Sequence, residues 1–354
     1  MSVVCVLPPR QYVWRATERL IADVGRFCEE LGFGVASVKG LGSFVAALLR
    51  GRVVIVLYPG FLSPVARSFL ELLYKLFYLF VYLFFAVVLG RRFILYVYDL
   101  PIEQNLAVWG RVPHVGLSRV FERLFFRFSS VLLVFNWLNV VYLSKIYGLD
   151  RRKFSLFEVL DYGADISGDV EVCGGFSRCF YVIYAANFNP LVRNSFSNFV
   201  KSCRTDFVKF FAVGKGAESL EVAVGKLPEV DSAYLPVVYR YFHFGLVLKS
   251  SWYYEFTSTS KFASYVHAGL PVLVPEEYRY LCSVVKRFGV GLCFKDCKDL
   301  AQRLRDLRPE EYESLRRNAA RLGFLLRRGY FFKKALFRAL GHVKGKLFTL
   351  PLVF

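Results

Sequence analysis

The chain has 354 residues, 55% hydrophobic and 18% aromatic, with a formal charge of +19. That length is comfortable for two domains, and the apolar share excludes a chain without large cores and leaves apolar surface over. The positive balance narrows the macromolecular partners to nucleic acid or an anionic membrane surface.

In chain order, SVVCVLP (2–8) reads as a strand. No signal peptide precedes it, so a cytoplasmic protein with mostly buried thiols is expected. Residues 11–31 have helical spacing, and GFGVASV (32–38) and VVIVLYPG (53–60) read as strands, the latter ending in a Pro-Gly turn. LFYLFVYLFFAVVL (76–89) is uninterrupted apolar but shorter than the roughly 20 residues that cross a bilayer. It is expected to end a helix over about 64–89, one face on a sheet and the other against lipid or a partner. A true span is the alternative.

FILYVYDLP (93–101) is the next strand, 117–128 a helix and SSVLLVFN (129–136) a strand. A helix then runs to Tyr147, and FSLFEVLDYG (154–163) closes the first domain, 1–163. The polar, glycine-containing stretch 164–178 is the expected linker. The pattern restarts over 179–330 with FYVIYAAN (180–187), a helix, DFVKFFAVGKG (206–216), a short strand near 230–235 and FHFGLVLK (242–249). PVLVP (271–275) and VGLCF (290–294) follow, then helices from about 297 to 340. Apolar strands alternating with helices predict two parallel sheets, each covered on both faces. No acidic residue follows Glu313, so 331–354 is expected as a basic, aromatic tail suited to a lipid surface or, alternatively, as a solvated basic helix face.

The cysteines form no CxxC and lack His partners at zinc-finger spacing, which argues against a zinc site. One Met and few Gln fit a thermophile, whose intracellular proteins carry disulfides; Cys173–Cys179 is the candidate pair. No zinc finger, RNP-like strand or basic-region heptad is evident, so nucleic acid is the less favoured partner.

Ligands of open parallel sheets bind beyond the carboxyl ends of the strands. AVGKG (212–216) lies at such an end. Gly214 and Gly216 let the backbone turn close to a ligand, and Lys215 is placed to meet a phosphate. The motif is neither a Walker A loop nor GxGxxG. In TSTSKFASYVHAGLPVLVP (257–275), one of Thr257–Ser260 caps a helix that ends at Gly269, before Pro271. Lys261 in its first turn opposes the helix dipole, a conflict that an anionic ligand relieves. Asp99, in YVYDLP at a strand end, is either a base for an acceptor hydroxyl or a turn residue before Pro101. Glu103 is the next carboxylate, and His267 is read as a packing residue.

Lys261–Val274, KFASYVHAGLPVLV, resembles the pattern Lys-x-x-Glu-Tyr-x-x-x-Gly-x-Pro-Val-x-x of GT-B glycosyltransferases. VVKRFGVGLCF (284–294), DLAQRLRDLRPEEYESLRRNA (299–319), YGLDRRKFSLFEVLDYG (147–163), YPG (58–60) and ILYVYDLPIEQ (94–104) resemble further family segments in order. The resemblance implies two Rossmann-like α/β domains with parallel sheets facing a cleft, and transfer of a sugar from a nucleotide sugar. It implies donor contacts from Asn187, Asn189, Gly214, Lys215, Ser258, Thr259, Ser260, Lys261, Ser264 and Tyr265. Lys261 matches the phosphate-contacting lysine. Gly60, Asp99 and Glu103 fall on the acceptor side, with Asp99 and Lys261 as catalytic residues. The chain departs from the pattern at Ser264, where the family has Glu, and Glu255 is one residue away from the second glutamate position. It resembles the subset without paired glutamates.

The expected function is glycosyl transfer from a UDP- or GDP-type donor to a lipid-linked or glycan acceptor. The protein would attach peripherally to an anionic membrane surface. No HxE, HExxH or Asp-x-Asp motif is evident, so metal independence is expected, with no cofactor beyond the donor. A non-catalytic sugar-nucleotide-binding or scaffold subunit is the alternative.

Overall fold

The computed structural model describes residues 2–8, 15–59, 62–63, 65–66, 68–159, 176–230, 235–248, 251–255 and 259–344. The chain divides into two units, one of 1–160 with 329–354 and one of 161–328.

The first unit runs β1 (Val3–Leu7), α1 (Arg15–Glu30), β2 (Gly34–Ser37), α2 (Leu41–Arg50), β3 (Val53–Tyr58), α3 (Phe69–Leu83) and β4 (Arg92–Val97). It continues with α4 (Pro101–Trp109), α5 (Val115–Phe128), β5 (Val131–Val134), α6 (Trp137–Tyr147) and β6 (Phe154–Leu156). The six strands are all parallel, in the order β2-β1-β3-β4-β5-β6. Every residue of β3 is buried. That is the reason for its unbroken apolar sequence: helices cover both faces of the sheet, so no polar alternation is required.

The second unit runs β7 (Phe180–Ala185), α7 (Pro190–Ser202), β8 (Val208–Val213), β9 (Gly225–Lys226), α8 (Leu235–Tyr239), β10 (Phe244–Leu246) and α9 (Ser260–His267). Next come β11 (Val272–Pro275), α10 (Arg279–Phe288), β12 (Gly291–Phe294), α11 (Cys297–Asp306) and α12 (Pro309–Arg327). Its strands are parallel in the order β12-β11-β10-β7-β8-β9. The chain leaves β7 to one side for β8 and β9 and to the other for β10. The carboxyl ends of β7 and β10 therefore form the topological switch point, where open sheets of this type bind ligands.

Three expectations are corrected. The short strand near 230–235 lies instead at Gly225–Lys226; residues 231–234 fall outside the described residues and Leu235 begins α8. The stretch 331–354 is not a separate tail as far as it is described. It forms α13 (Tyr330–Lys344), whose Phe332, Ala335, Leu336 and Ala339 are fully buried in the first unit's core against Phe27, Leu133 and Phe157. Each buried Phe or Leu stabilises by about 1.5–3 kcal/mol. Ser155 Oγ also donates to the Ala335 carbonyl at 3.0 Å. The apolar stripe of α13 faces β5 and β6, not a lipid surface.

The third correction concerns the cysteines. Cys203 and Cys297 form a disulfide, joining the end of α7 to the start of α11. Cys179 is a free thiol, and Cys173 and most of the expected linker lie outside the described residues.

Candidate functional site

In the second unit, the residues at the switch point gather around α9. Thr259 caps the helix, its Oγ1 accepting from the Lys261 N–H at 3.0 Å, and Gly269 follows the last turn at φ +70°. The Ser260 and Phe262 N–H groups of the same first turn point along the helix axis away from the body of the helix, as the first donors of any helix do. The Lys261 ammonium lies 4.8 Å from the centroid of the Tyr184 ring near the end of β7, and Nζ donates to the Tyr184 hydroxyl at 3.4 Å. No carboxylate forms an ion pair with Lys261 among the described residues. Burial holds its pKa below the usual lysine value, against a smaller opposing effect from Tyr254. A half-buried cation beside a helix N-terminus has the chemistry that suits an anion.

The loop after β8 supports the same end of the sheet. Gly214 has φ +121°, and a Cβ there would stand 2.2 Å from the Ala186 carbonyl oxygen, so the loops after β7 and β8 approach only without a side chain. The Phe188 N–H donates to the Lys215 carbonyl at 2.9 Å, while the Lys215 side chain is exposed. Asn189 caps α7, its side chain accepting from the Val192 N–H at 3.0 Å, and Asn187 is exposed in the loop between β7 and that cap. Ser264 is buried on α9, and Ser258 lies outside the described residues.

Tyr265 departs from the expectation of a donor contact. It is fully buried, donates to the Ile183 carbonyl at 3.3 Å and accepts from the Ala185 N–H at 2.8 Å. Its ring fills the space over Gly245, where a Cβ would stand 2.4 Å away. Tyr265 thus fastens α9 to β7 and β10 and sets the position of Lys261 one turn earlier. His267 is buried, with its backbone against Gly323 of α12, as a packing residue should be.

In the first unit, Asp99 follows β4 and accepts from the Leu100 N–H at 3.0 Å. Burial pushes its carboxyl up to about 7; the Glu103 charge acts in the same direction, while the Leu100 N–H and the Gln104 side chain oppose. Glu103 does not present itself to solvent as an acceptor-side residue would. It is fully buried, accepts from Arg119 and from the Tyr142 hydroxyl, the latter at 2.7 Å, and leaves Oε2 without a hydrogen-bond partner.

Arg119 also lies 3.6 Å from Glu122, which accepts from the hydroxyls of Tyr58, at 2.6 Å, and Tyr147. Burial, followed by the Glu103 charge, pushes Glu122 up to about 8. This network of two glutamates, one arginine and three tyrosines escaped the sequence reading. Its signal was Glu122, which shares the inner face of α5 with Phe121, Phe125 and Phe126. Gly60 lies outside the described residues.

Residues 182–339 match the family described as Glucosyltransferase 3-like, C-terminal domain. A 91-residue stretch is 32% identical to Glucosyltransferase 3 of Streptococcus gordonii, covering 26% of this chain and 27% of that protein. Among solved structures, sucrose-phosphate synthase from Thermosynechococcus elongatus aligns over 97% of this chain and 100% of its own, with TM-score 0.60 and 11% identity. Anabaena HepE, solved with UDP-glucose, aligns over 95% of this chain and 98% of its own (TM-score 0.55, 11% identity). An α-glucosyltransferase solved with UDP aligns over 96% and 100% (TM-score 0.59, 10% identity). The two parallel six-stranded sheets are those of the GT-B fold, and residues 182–339, most of the second unit together with part of α13, are similar to the glucosyltransferase 3-like C-terminal domain.

Proposed function

We propose that the protein is a glycosyltransferase that moves a sugar from a UDP- or GDP-type nucleotide sugar to a hydroxyl of a lipid-linked or glycan acceptor. It would act at the cytoplasmic face of a membrane and without a metal ion. The observation that carries this reading is the half-buried Lys261 ammonium, without a carboxylate partner among the described residues, at the first turn of α9 beside the end of β7. The UDP and UDP-glucose held by the structural neighbours support a uridine nucleotide.

In this reading the bond between the anomeric carbon and the diphosphate oxygen breaks, and a bond to the acceptor oxygen forms. Lys261 and the open N–H groups of α9 stabilise the charge that grows on the leaving diphosphate. Asp99 takes the acceptor's proton; a carboxylate near pH 7 is matched to that task. The test is transfer of radiolabelled sugar from a panel of nucleotide sugars to membrane extracts. Transfer by the wild type and its loss in Lys261→Ala are expected; normal turnover by Lys261→Ala would sink the site.

Ser264, where the resembled pattern has Glu, favours a second reading, a non-catalytic subunit that binds the donor. Calorimetric donor binding with neither transfer nor hydrolysis would support that reading.

A further inference from the structure

Helix α3 continues through a five-residue π-helical segment to Val88, so that Leu70–Val88 forms 19 residues of mean hydropathy 1.8, only 22% of it buried. Its inner row packs on the unit: the Tyr78 ring lies 5.4 Å from Phe44, and Tyr82 lies 4.3 Å from Phe93 and 5.2 Å from Phe125. The Tyr82 hydroxyl also donates to the Phe125 carbonyl at 3.1 Å. This row holds the helix lengthwise on the unit. The outer row is apolar as well, with Leu70, Phe77, Phe80, Val87 and Val88 all more than half exposed. A helix that faces water on one side carries polar residues there; the outer row of this one has no charged residue, and the helix's single carboxylate, Glu71, is paired with Lys75 at 2.8 Å.

The charges around it complete the picture. Helix α5 packs beside α3 through Phe125 and exposes Val120, Arg123 and Arg127; α6 packs beside α5 and exposes Trp137 and Lys145. From Phe84 to Leu149 the only carboxylates in the sequence are Asp99, Glu103 and Glu122. Glu103 and Glu122 are fully buried and Asp99 is partly buried, so this stretch shows solvent apolar groups and cations without a fully exposed carboxylate.

We propose that the face formed by α3, α5 and α6 docks on an anionic lipid bilayer, with the outer row of α3 in the interfacial layer and Arg123, Arg127 and Lys145 against the headgroups. Apolar burial and attraction to anionic lipid together make such binding stable where either alone is weak. The inference deepens the membrane-face reading above and rests on it for its biological setting, but its test needs no turnover.

The experiment is flotation of the full chain with vesicles of phosphatidylcholine containing phosphatidylglycerol, and with phosphatidylcholine alone, at 0.15 M salt. Wild type is expected to float with the anionic vesicles and at least ten-fold less with the neutral ones. The triple variant Phe77→Ser, Phe80→Ser, Val87→Ser is expected to lose flotation, and Arg123→Glu with Arg127→Glu to lose the preference for anionic lipid. Circular dichroism and a UDP thermal-shift assay on both variants check folding and separate failure of docking from failure of the donor site. Three results would overturn the proposal: no flotation of wild type, undiminished flotation of the triple variant, or a vesicle-free dimer that the triple variant dissociates. The last would make the face a contact between copies.

Discussion

Lys261 and Tyr184, 77 residues apart in sequence, meet as a cation and an aromatic face 4.8 Å apart. The ring holds the ammonium at the end of β7 without neutralising it, as a carboxylate would. A cation–π contact of this kind is worth about 0.5–2 kcal/mol. Tyr184→Leu is therefore expected to weaken UDP binding roughly 2- to 30-fold in calorimetry. Tyr184→Phe keeps the ring and gives up only a hydrogen bond of 3.4 Å, so its effect should be smaller. Equal losses in the two variants would assign the role to the hydroxyl instead.

Asp99 gives a pH signature. Its carboxyl is pushed up to about 7 by burial, and a base must be unprotonated to accept a proton. kcat/KM is expected to rise with pH through about 7 and then level off. Asp99→Asn should abolish the rise along with most of the activity. A profile flat between pH 5.5 and 8.5 in the wild type would remove Asp99 from the role of base.

The double six-stranded architecture was legible because β3, β4, β7 and β11 are apolar runs bounded by helical segments, and parallel sheets covered on both faces need such runs. The cap and stop of α9 were legible for a local reason: Thr259, Gly269 and Pro271 are residues whose own backbone and side-chain chemistry ends helices. Tyr184 was not, because its contact with Lys261 depends on β7 and β10 becoming neighbours, which no local pattern reveals. The role of α13 was misread for a related reason: an apolar stripe fits a core and a lipid surface equally well, and only the fold decides between them. Tyr265 matched a ligand-contacting position in the resembled pattern but spends its hydroxyl on the backbone of β7.

Glu122 makes stability depend on pH. Its carboxyl is pushed up to about 8 in the fold, above the 4.5 of an ordinary glutamate. The folded state therefore holds the proton more tightly than the unfolded chain. The resulting stability is fully present below about pH 4.5 and is lost progressively as pH rises towards 8. Glu122→Gln keeps the shape and removes the ionisation, so its Tm should fall less than that of the wild type between pH 5.5 and 8.5. Each kcal/mol corresponds to about 2–4 °C for domains of this size. A variant with the same pH slope as the wild type would show that Glu122 is not the titrating group.

The Cys203–Cys297 bond closes a loop with a sequence separation of 94 residues. In the chain-entropy account, cross-linking a loop of that length restricts the unfolded state by on the order of 4–5 kcal/mol, the native contacts being unchanged. Cys203 sits at the end of α7 and Cys297 at the start of α11, both within the second unit, so the effect should be confined to that unit's unfolding. Cys203→Ser with Cys297→Ser is expected to lower the denaturant midpoint of the second unit, while donor binding at Lys261 is retained below the transition. Dithiothreitol should lower the wild-type midpoint and leave the double variant unmoved. A dithiothreitol response that persists in the double variant would assign the redox-sensitive stability to the remaining cysteines.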